Sequence, residues 1–600
     1  MSDTGYSDAQ RQQDVKTLHE MGYAQELPRR MGAFQNFVIS FAIICIVAGG
    51  ITAFPVALSA GGGASIGYGW PIACAFALVV AAAMGQIASA YPTAGGIYHW
   101  SSILGGRGWG WAAAWFNLLG LIFVVSSVNM GVFLLFRDLF LTQVLGWDVA
   151  AKGWVSAVAF DQGWLTQTIF IAAITAVQAV LNHYFLRLTT ILTDFSGYLI
   201  LATAVLLTLG FVAWAPSLNF ARLFTYTNFT GDAGGGVWPA ATSAMYVLGI
   251  GLLYGVYTVT GFDASAHTSE ETRNAPSEVP KGMIRSVFWS FLVGYIMVCA
   301  FVLALPDQTG PDPADATKTI VTNGVVAAAK QGWGSFSWLM STSAMPSAIK
   351  AILIIGIVVS NFLCALAGLT STSRMMYAFA RDGGLPLSSV LKQVSPTFQT
   401  PGAAIWAGGI LSVLATLYGG AFLVLSTGCA VFLYISYLMP VAAGMLAEMN
   451  GSWTQKGPFN LGMASILVAI VAVIGCAILI FVGIQPPQEK VMYLIIIMVL
   501  GLGAFWAAME GSPGLGWLLA LVTIVAVYWC MAGFAFSGGG AFLGLGQEGV
   551  IWMGLAVIAM LGLTALLSGN GFAGPPTGEA IKKRAAEIAR SEAALAGGKA

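Results

Sequence analysis

Residues 255–263 read Gly255-Val256-Tyr257-Thr258-Val259-Thr260-Gly261-Phe262-Asp263. Two glycines, two threonines and a carboxylate interrupt an apolar run that extends from 238 to 268. A helix needs about 20 apolar residues to cross a bilayer, so the run is long enough to span and the interruption falls inside it. Irregular backbone survives at membrane depth only where it is buried in protein or lines a watery cavity. A second stretch has the same character. Ala48-Gly49-Gly50-Ile51-Thr52, followed by Pro55, lies within the apolar run 36–59.

The rest of the chain is built from the same material. Of its 600 residues, 58% are hydrophobic and 8% charged, with a mean hydropathy of +0.81. Ordinary soluble chains carry about 25% charged residues, so most of this surface must face lipid. Apolar runs predict fourteen spans, at 36–59, 71–90, 109–135, 165–186, 191–213, 238–268, 284–305, 350–372, 402–418, 423–446, 461–484, 490–509, 514–535 and 549–568. The runs are continuous and lack period-two alternation, which excludes a porin-like barrel. The predicted architecture is therefore an all-α integral membrane bundle. The two interruptions fall in spans one and six.

The polar opening of the chain reads as a cytoplasmic tail over 1–35, not as a cleavable signal. With that tail inside, 18 of the 25 basic residues fall on the inner side and seven outside, as the positive-inside rule requires. An even number of spans returns the C-terminal tail, 571–600, to the cytoplasm. Lys+Arg and Asp+Glu are equal at 25 each, so a basic nucleic-acid surface is not expected. The four His and seven Cys are scattered, which supports neither a metal site nor a disulfide framework. The sequence has no H-E-x-x-H and no phosphate-binding G-x-x-x-x-G-K-[ST], so neither an enzyme nor an ATP-driven pump is expected, and no cofactor is called for.

Paired interruptions have a specific meaning in transporters. Discontinuous helices present half-helix N-termini to anionic groups and free carbonyls to cations, and such pairs in corresponding halves of a repeat point to the binding site. Glycine pairs also serve close helix packing, so two packing kinks are the competing reading.

Three further stretches carry a resemblance. They are Tyr91-Pro92-Thr93-Ala94-Gly95-Gly96-Ile97-Tyr98-His99-Trp100; Gly261 through Ala275, with Val279-Pro280; and Ser373-Arg374-Met375-Met376-Tyr377-Ala378-Phe379-Ala380-Arg381-Asp382-Gly383-Gly384-Leu385-Pro386. Together and in this order they resemble the amino acid–polyamine–organocation (APC) superfamily of permeases. Glu26-Leu27-Pro28-Arg29-Arg30-Met31-Gly32 is similar to the opening of its amino acid/choline transporter branch. The resemblance covers roughly residues 20–510 and implies a LeuT-like bundle of five helices repeated inverted. Twelve core helices would occupy 36–510, and two additional helices 511–570. It also implies a plasma-membrane secondary transporter for an amino acid or related amine such as GABA or choline. In such a protein, spans one, two, six and seven rock against spans three, four, eight and nine. Where the superfamily often has Gly-Ser-Gly in its first unwound segment, this chain has Ala48-Gly49-Gly50. Span five lacks the Lys or His found in many relatives; its one charge is Asp194. The coupling ion, H+ or Na+, stays open.

On this reading the N–H groups of Gly49, Gly50 and Ile51 meet the substrate carboxylate. Carbonyls at Ala48, Tyr257, Thr258, Val259 and Thr260, beside Gly261, meet its amino group. Tyr257 and Phe262 flank the interruption and offer cation–π contact. Asp263 is an ionisable group within a span, a functional position by default; it either senses an ammonium or proton or caps the following half-helix. His267 lies four residues on, as a partner in a proton-sensitive pair or as a polar packing residue. Glu270 and Glu271 either pair with Arg374 and Arg381 as an inner gate or form a solvated helix end. Thr370, Ser371, Thr372 and Ser373 read as packing hydroxyls bonded one turn back; in sodium-coupled relatives such hydroxyls hold the ion. The competing functions are an amine channel, for which no filter-like loop is visible, and an ion-coupling subunit, which should show ionisable groups in many spans.

Overall fold

The computed structural model describes residues 6–156, 160–312, 315–417 and 421–485, and scattered positions between 491 and 507 and between 572 and 588. Among the described residues, nine helices are long and apolar enough to cross a membrane. They are Ala33–Thr52, Gly63–Ala90, Arg107–Val144, Gln162–Tyr184, Leu186–Ala213, Ala275–Leu303, Ser347–Arg381, Val424–Met449 and Gly462–Gly483. Two shorter apolar helices, Ala244–Thr258 and Gly402–Ala415, complete the order of spans one to eleven. Predicted span twelve is described only at scattered positions, which are helical. Predicted spans thirteen and fourteen lie outside the described residues.

The bundle is layered around spans one, three, six, eight and ten. Span three packs along spans ten and eight, and span seven along spans two and one. The lipid-side spans expose apolar side chains, such as Ile169, Tyr198 and Ile478. Inside, polar side chains close on one another, because an unpaired polar group in an apolar medium costs several kcal/mol. Asn129 of span three bonds Thr175 and Gln178 of span four, and the Thr370 hydroxyl of span eight bonds Asn182. Thr370, Thr372 and Ser373 each bond a carbonyl one turn back, while Ser371 reaches span six instead.

Two features depart from the sequence reading. The long loop after span seven contains an antiparallel pair, β1 (Gln308–Asp312) and β2 (Asp315–Thr322), with Thr309 opposite Val321. A purely helical chain was expected, but an extramembrane loop is free to pair its backbone as a hairpin. The N-terminal segment is docked on the bundle. It forms a helix, Asp8–Glu20, with Leu18 buried, and then runs under the spans, where Tyr23 and Leu27 are buried. Met31 pairs its backbone with Thr272 just beyond span six.

Candidate functional site

Both interruptions are real breaks in the helix, but they differ. In span one the helix Ala33–Ile44 ends at Cys45, whose φ of 32° is left-handed, and resumes at Ile46–Thr52. The unwinding read at Ala48–Thr52 thus falls instead at Cys45, and those five residues are helical. Ala48 and Gly49 donate their N–H groups to the Cys45 carbonyl, at 2.8 and 3.1 Å. Gly50 and Ile51 lie within the helical turn. The groups opened by the break are those of the first turn after it, at Ile46 and Val47, because the leading N–H groups of a helix have no partner one turn back. Span eight fills part of the gap: the Cys364 thiol bonds the Ile43 carbonyl and the Cys45 thiol points to the Ser360 carbonyl.

The glycine pair has another task. A Cβ on Gly49 would stand 2.8 Å from Thr258 Oγ1 and 2.9 Å from Thr258 Cα. Span one and span six therefore cross backbone to backbone at this point, which only glycine allows. A Cβ on Gly50 would meet the tip of Met297, and its carbonyl accepts from Tyr254, at 2.7 Å.

Span six is helical over Ala244–Thr258, loses its helix across Val259–Asp263 and turns again over Ala264–His267. Gly261, at φ 101°, carries the reversal. Gly255 through Thr258, quoted with the interruption, belong to the helix that precedes it. Among the described residues no donor reaches the carbonyls of Thr258, Val259 and Thr260, so they remain free.

A small cavity lies between the breaks. Ala48 and Gly49 from span one line it with Tyr257, Thr258 and Thr260 from span six, alongside Ile43 and Ile44. Spans three, eight and ten contribute Val124, Ser127, Val128, Cys364 and Cys429. Among the described residues no lining side chain is charged. The Tyr257 hydroxyl donates to Ser127, at 3.3 Å. Val259 and Phe262 are buried away from the cavity, with the Phe262 ring 4.9 Å from that of Tyr437. Gly50, Ile51 and Gly261 do not line it either.

Asp263 is fully buried, and its carboxylate does not cap the half-helix it begins. It reaches out of span six, accepting from the Tyr437 hydroxyl of span ten at 2.7 Å and from the Asn117 amide of span three at 3.0 Å. Tyr437 also accepts from the Gly261 N–H, at 3.3 Å. His267, equally buried, holds Nδ1 at 2.6 Å from the Ser371 hydroxyl and Nε2 at 3.7 Å from the Asp263 carboxylate. Sequence reasoning missed Asn117 and Tyr437. Each is an ordinary polar residue in an apolar run, and only the packing of three helices brings them to Asp263.

Below this point the face of the bundle where span one begins is shut. Arg381 donates through both terminal nitrogens to Glu270, at 2.9 and 3.0 Å, and Arg374 donates to Glu271 at 2.8 Å. Glu270 also accepts the Ala94 N–H, in the segment before the short helix Ile97–Gly105. The N-terminal segment seals the pairs: Tyr23 lies 3.9 Å from the Arg381 guanidinium, and Tyr377 donates to Glu26. The Arg381–Glu270 pair is fork-to-fork and the Arg374–Glu271 pair a single bond; both depend on mutual geometry, since either charge left alone and buried is strongly unfavourable.

The chain belongs to the amino acid permease family. The model of that family matches residues 32–505, a range that contains both breaks, the cavity and the Glu270–Arg381 and Glu271–Arg374 pairs. The chain is 32% identical over 470 residues to amino-acid permease BAT1 of Arabidopsis thaliana, covering 76% of this chain and 85% of that one. It is likewise 32% identical over 476 residues to a rice homolog of BAT1, with 77% and 85% covered. Amino-acid permease 2 of Neurospora crassa is 25% identical over 471 residues, with 76% and 79% covered. The protein is thus a multi-pass membrane transporter of the APC type and not an enzyme.

Proposed function

We propose that the protein is a secondary active transporter that carries an amino acid across the plasma membrane by alternating access, with its termini in the cytoplasm. The observation that carries this reading is the cavity held between the two broken spans, closed beneath by the Glu270–Arg381 and Glu271–Arg374 pairs. The helix start that follows the span-one break, next to the cavity-lining Ala48 and Gly49, suits a carboxylate, and the free carbonyls of the cavity-lining Thr258 and Thr260 suit an ammonium. These two ends match an α-amino acid zwitterion. Choline, with no carboxylate, would leave the span-one break unused, and GABA sets its two charges farther apart. The relatives' names, amino-acid permease, agree with this choice.

In this scheme the core of 36–510 is a five-plus-five inverted repeat in which spans one and six correspond, and 511–570 adds two helices. The cytoplasmic ion pairs open as spans one, two, six and seven rock away from spans three, four, eight and nine. The structure then represents a state closed toward the cytoplasm.

The test is counterflow in liposomes. Purified protein is loaded with a mixture of unlabelled protein amino acids, and entry of each labelled member is followed, with GABA and choline in parallel. Exchange of one or more α-amino acids is expected. Exchange of choline or GABA alone would overturn the reading, and net downhill flux without exchange would favour a channel.

A further inference from the structure

We propose that the coupling ion is a proton, and that Asp263 and His267 together form its binding site between the substrate cavity and the closed face. The inference rests on the proposed amino acid transport.

The site stands on geometry. Asp263 and His267 are one helical turn apart at zero exposure, with the His267 Nε2 3.7 Å from the carboxylate and, among the described residues, no hydrogen-bond partner of its own. A carboxylate buried in a membrane protein is costly unless a cation, a metal or a proton attends it. Among the described residues no Lys or Arg bonds Asp263. Its hydrogen-bond partners, Tyr437 and Asn117, are neutral donors, and His267 is the titratable group closest along its own helix.

The groups facing the pair from neighbouring elements are equally uncharged. Span ten presents the phenols Tyr434 and Tyr437, and span three presents Asn117. Span eight presents Ser371, and the segment after span two brings Gly96 against the imidazole. The next ionised groups along span six, Glu270 and Glu271, are already closed on Arg381 and Arg374. A proton is therefore the cation the pair can take without new ligands. It binds a carboxylate oxygen of Asp263 or Nε2 of His267, arriving from water on one side and leaving to water on the other. Only an O–H or N–H bond forms and breaks.

The same contacts say what the proton does. The Asp263 carboxylate ties span six to spans three and ten, and Tyr437 ties the carboxylate to the Gly261 N–H at the reversal. Hydrogen bonds to an ionised acceptor are about twice as strong as neutral ones. Protonating Asp263 therefore loosens the moving helix from its neighbours, at the segment whose Thr258 and Thr260 line the cavity.

The experiment uses the purified full chain in liposomes, with a radiolabelled mixture of the protein amino acids and the membrane potential clamped at zero. Wild type is expected to accumulate label when the source side is more acidic, up to about tenfold per pH unit for one proton per substrate. Sodium should be dispensable. Asp263→Asn should exchange label at a rate that no longer changes with pH and should accumulate none. His267→Gln should lose accumulation or move its pH midpoint, and Tyr437→Phe should move the midpoint while keeping accumulation. Accumulation by Asp263→Asn under the acid gradient would overturn the proposal. So would wild-type accumulation driven by a sodium gradient at equal pH, or wild-type counterflow with no response to either gradient. Absence of wild-type counterflow in folded protein would instead sink the amino acid reading, and the proton site with it.

Discussion

The breaks in spans one and six look alike in sequence and are built differently. Span six uses glycine for its backbone freedom: Gly261 takes φ 101°, a region nearly closed to other residues. Span one uses glycine for its missing side chain: Gly49 and Gly50 are helical, and Gly49 lets the two spans touch at Thr258. Its reversal is left to Cys45, a residue with a Cβ, at a strain of about 1–3 kcal/mol. That strain is held by span eight, through Cys364 and Ser360. A glycine in a broken membrane helix thus marks either a turn of the chain or a close approach, and the two make different predictions.

The largest effect is expected past the span-six break, where the second half of that helix is locked. Glu270→Gln would leave the Arg381 charge buried and unpaired, at a cost of about 3–5 kcal/mol to the closed state. Cysteine accessibility from the side where span one begins should rise near Ala94 and Tyr377, and no rise would mean that the pair does not hold that face closed. Gly261→Ala comes next. A Cβ there would sit 2.5 Å from Ile43 Cγ2 and would meet an unsuitable φ, so transport should fall at least tenfold, measured as initial uptake at matched expression. Uptake near wild type would show that the reversal does not need glycine.

The glycine pair separates packing from backbone freedom. Gly49→Ala should lower thermal stability by about 1–3 kcal/mol, the usual range for overpacking, because the contact is with the Thr258 backbone. Gly50→Ala crowds the flexible Met297 tip and otherwise meets Val298 and Tyr254 at ordinary contact distance, so it should lose less than half as much, judged by melting in detergent. Equal losses would erase the distinction. The smallest change is expected for Cys45→Gly. Relief of the left-handed strain and loss of a weak thiol contact oppose each other, so the melting temperature should stay within a few degrees. A fall as large as that of Gly49→Ala would place the anchoring of span one on the Cys45 thiol.

Composition and apolar run length alone determined that this chain is a multi-pass helical membrane protein, because lipid offers no partner for a stray backbone group or a charged surface. Local sequence also marked the break in span six, where Gly261 and the polar residues around it have no other reason to interrupt an apolar helix. The pairing of Glu270 and Glu271 with Arg374 and Arg381 was open as a choice, since opposite charges at the ends of two helices say nothing of their distance. Tertiary structure decided the rest. Cys45 is indistinguishable in sequence from the other scattered cysteines, and its left-handed backbone exists only because span eight supports it. Asn117 and Tyr437 are 320 residues apart, and each acquires meaning only where spans three and ten pack against Asp263. Helix periodicity reports what one helix hides from lipid. Which buried groups then meet depends on how the helices cross.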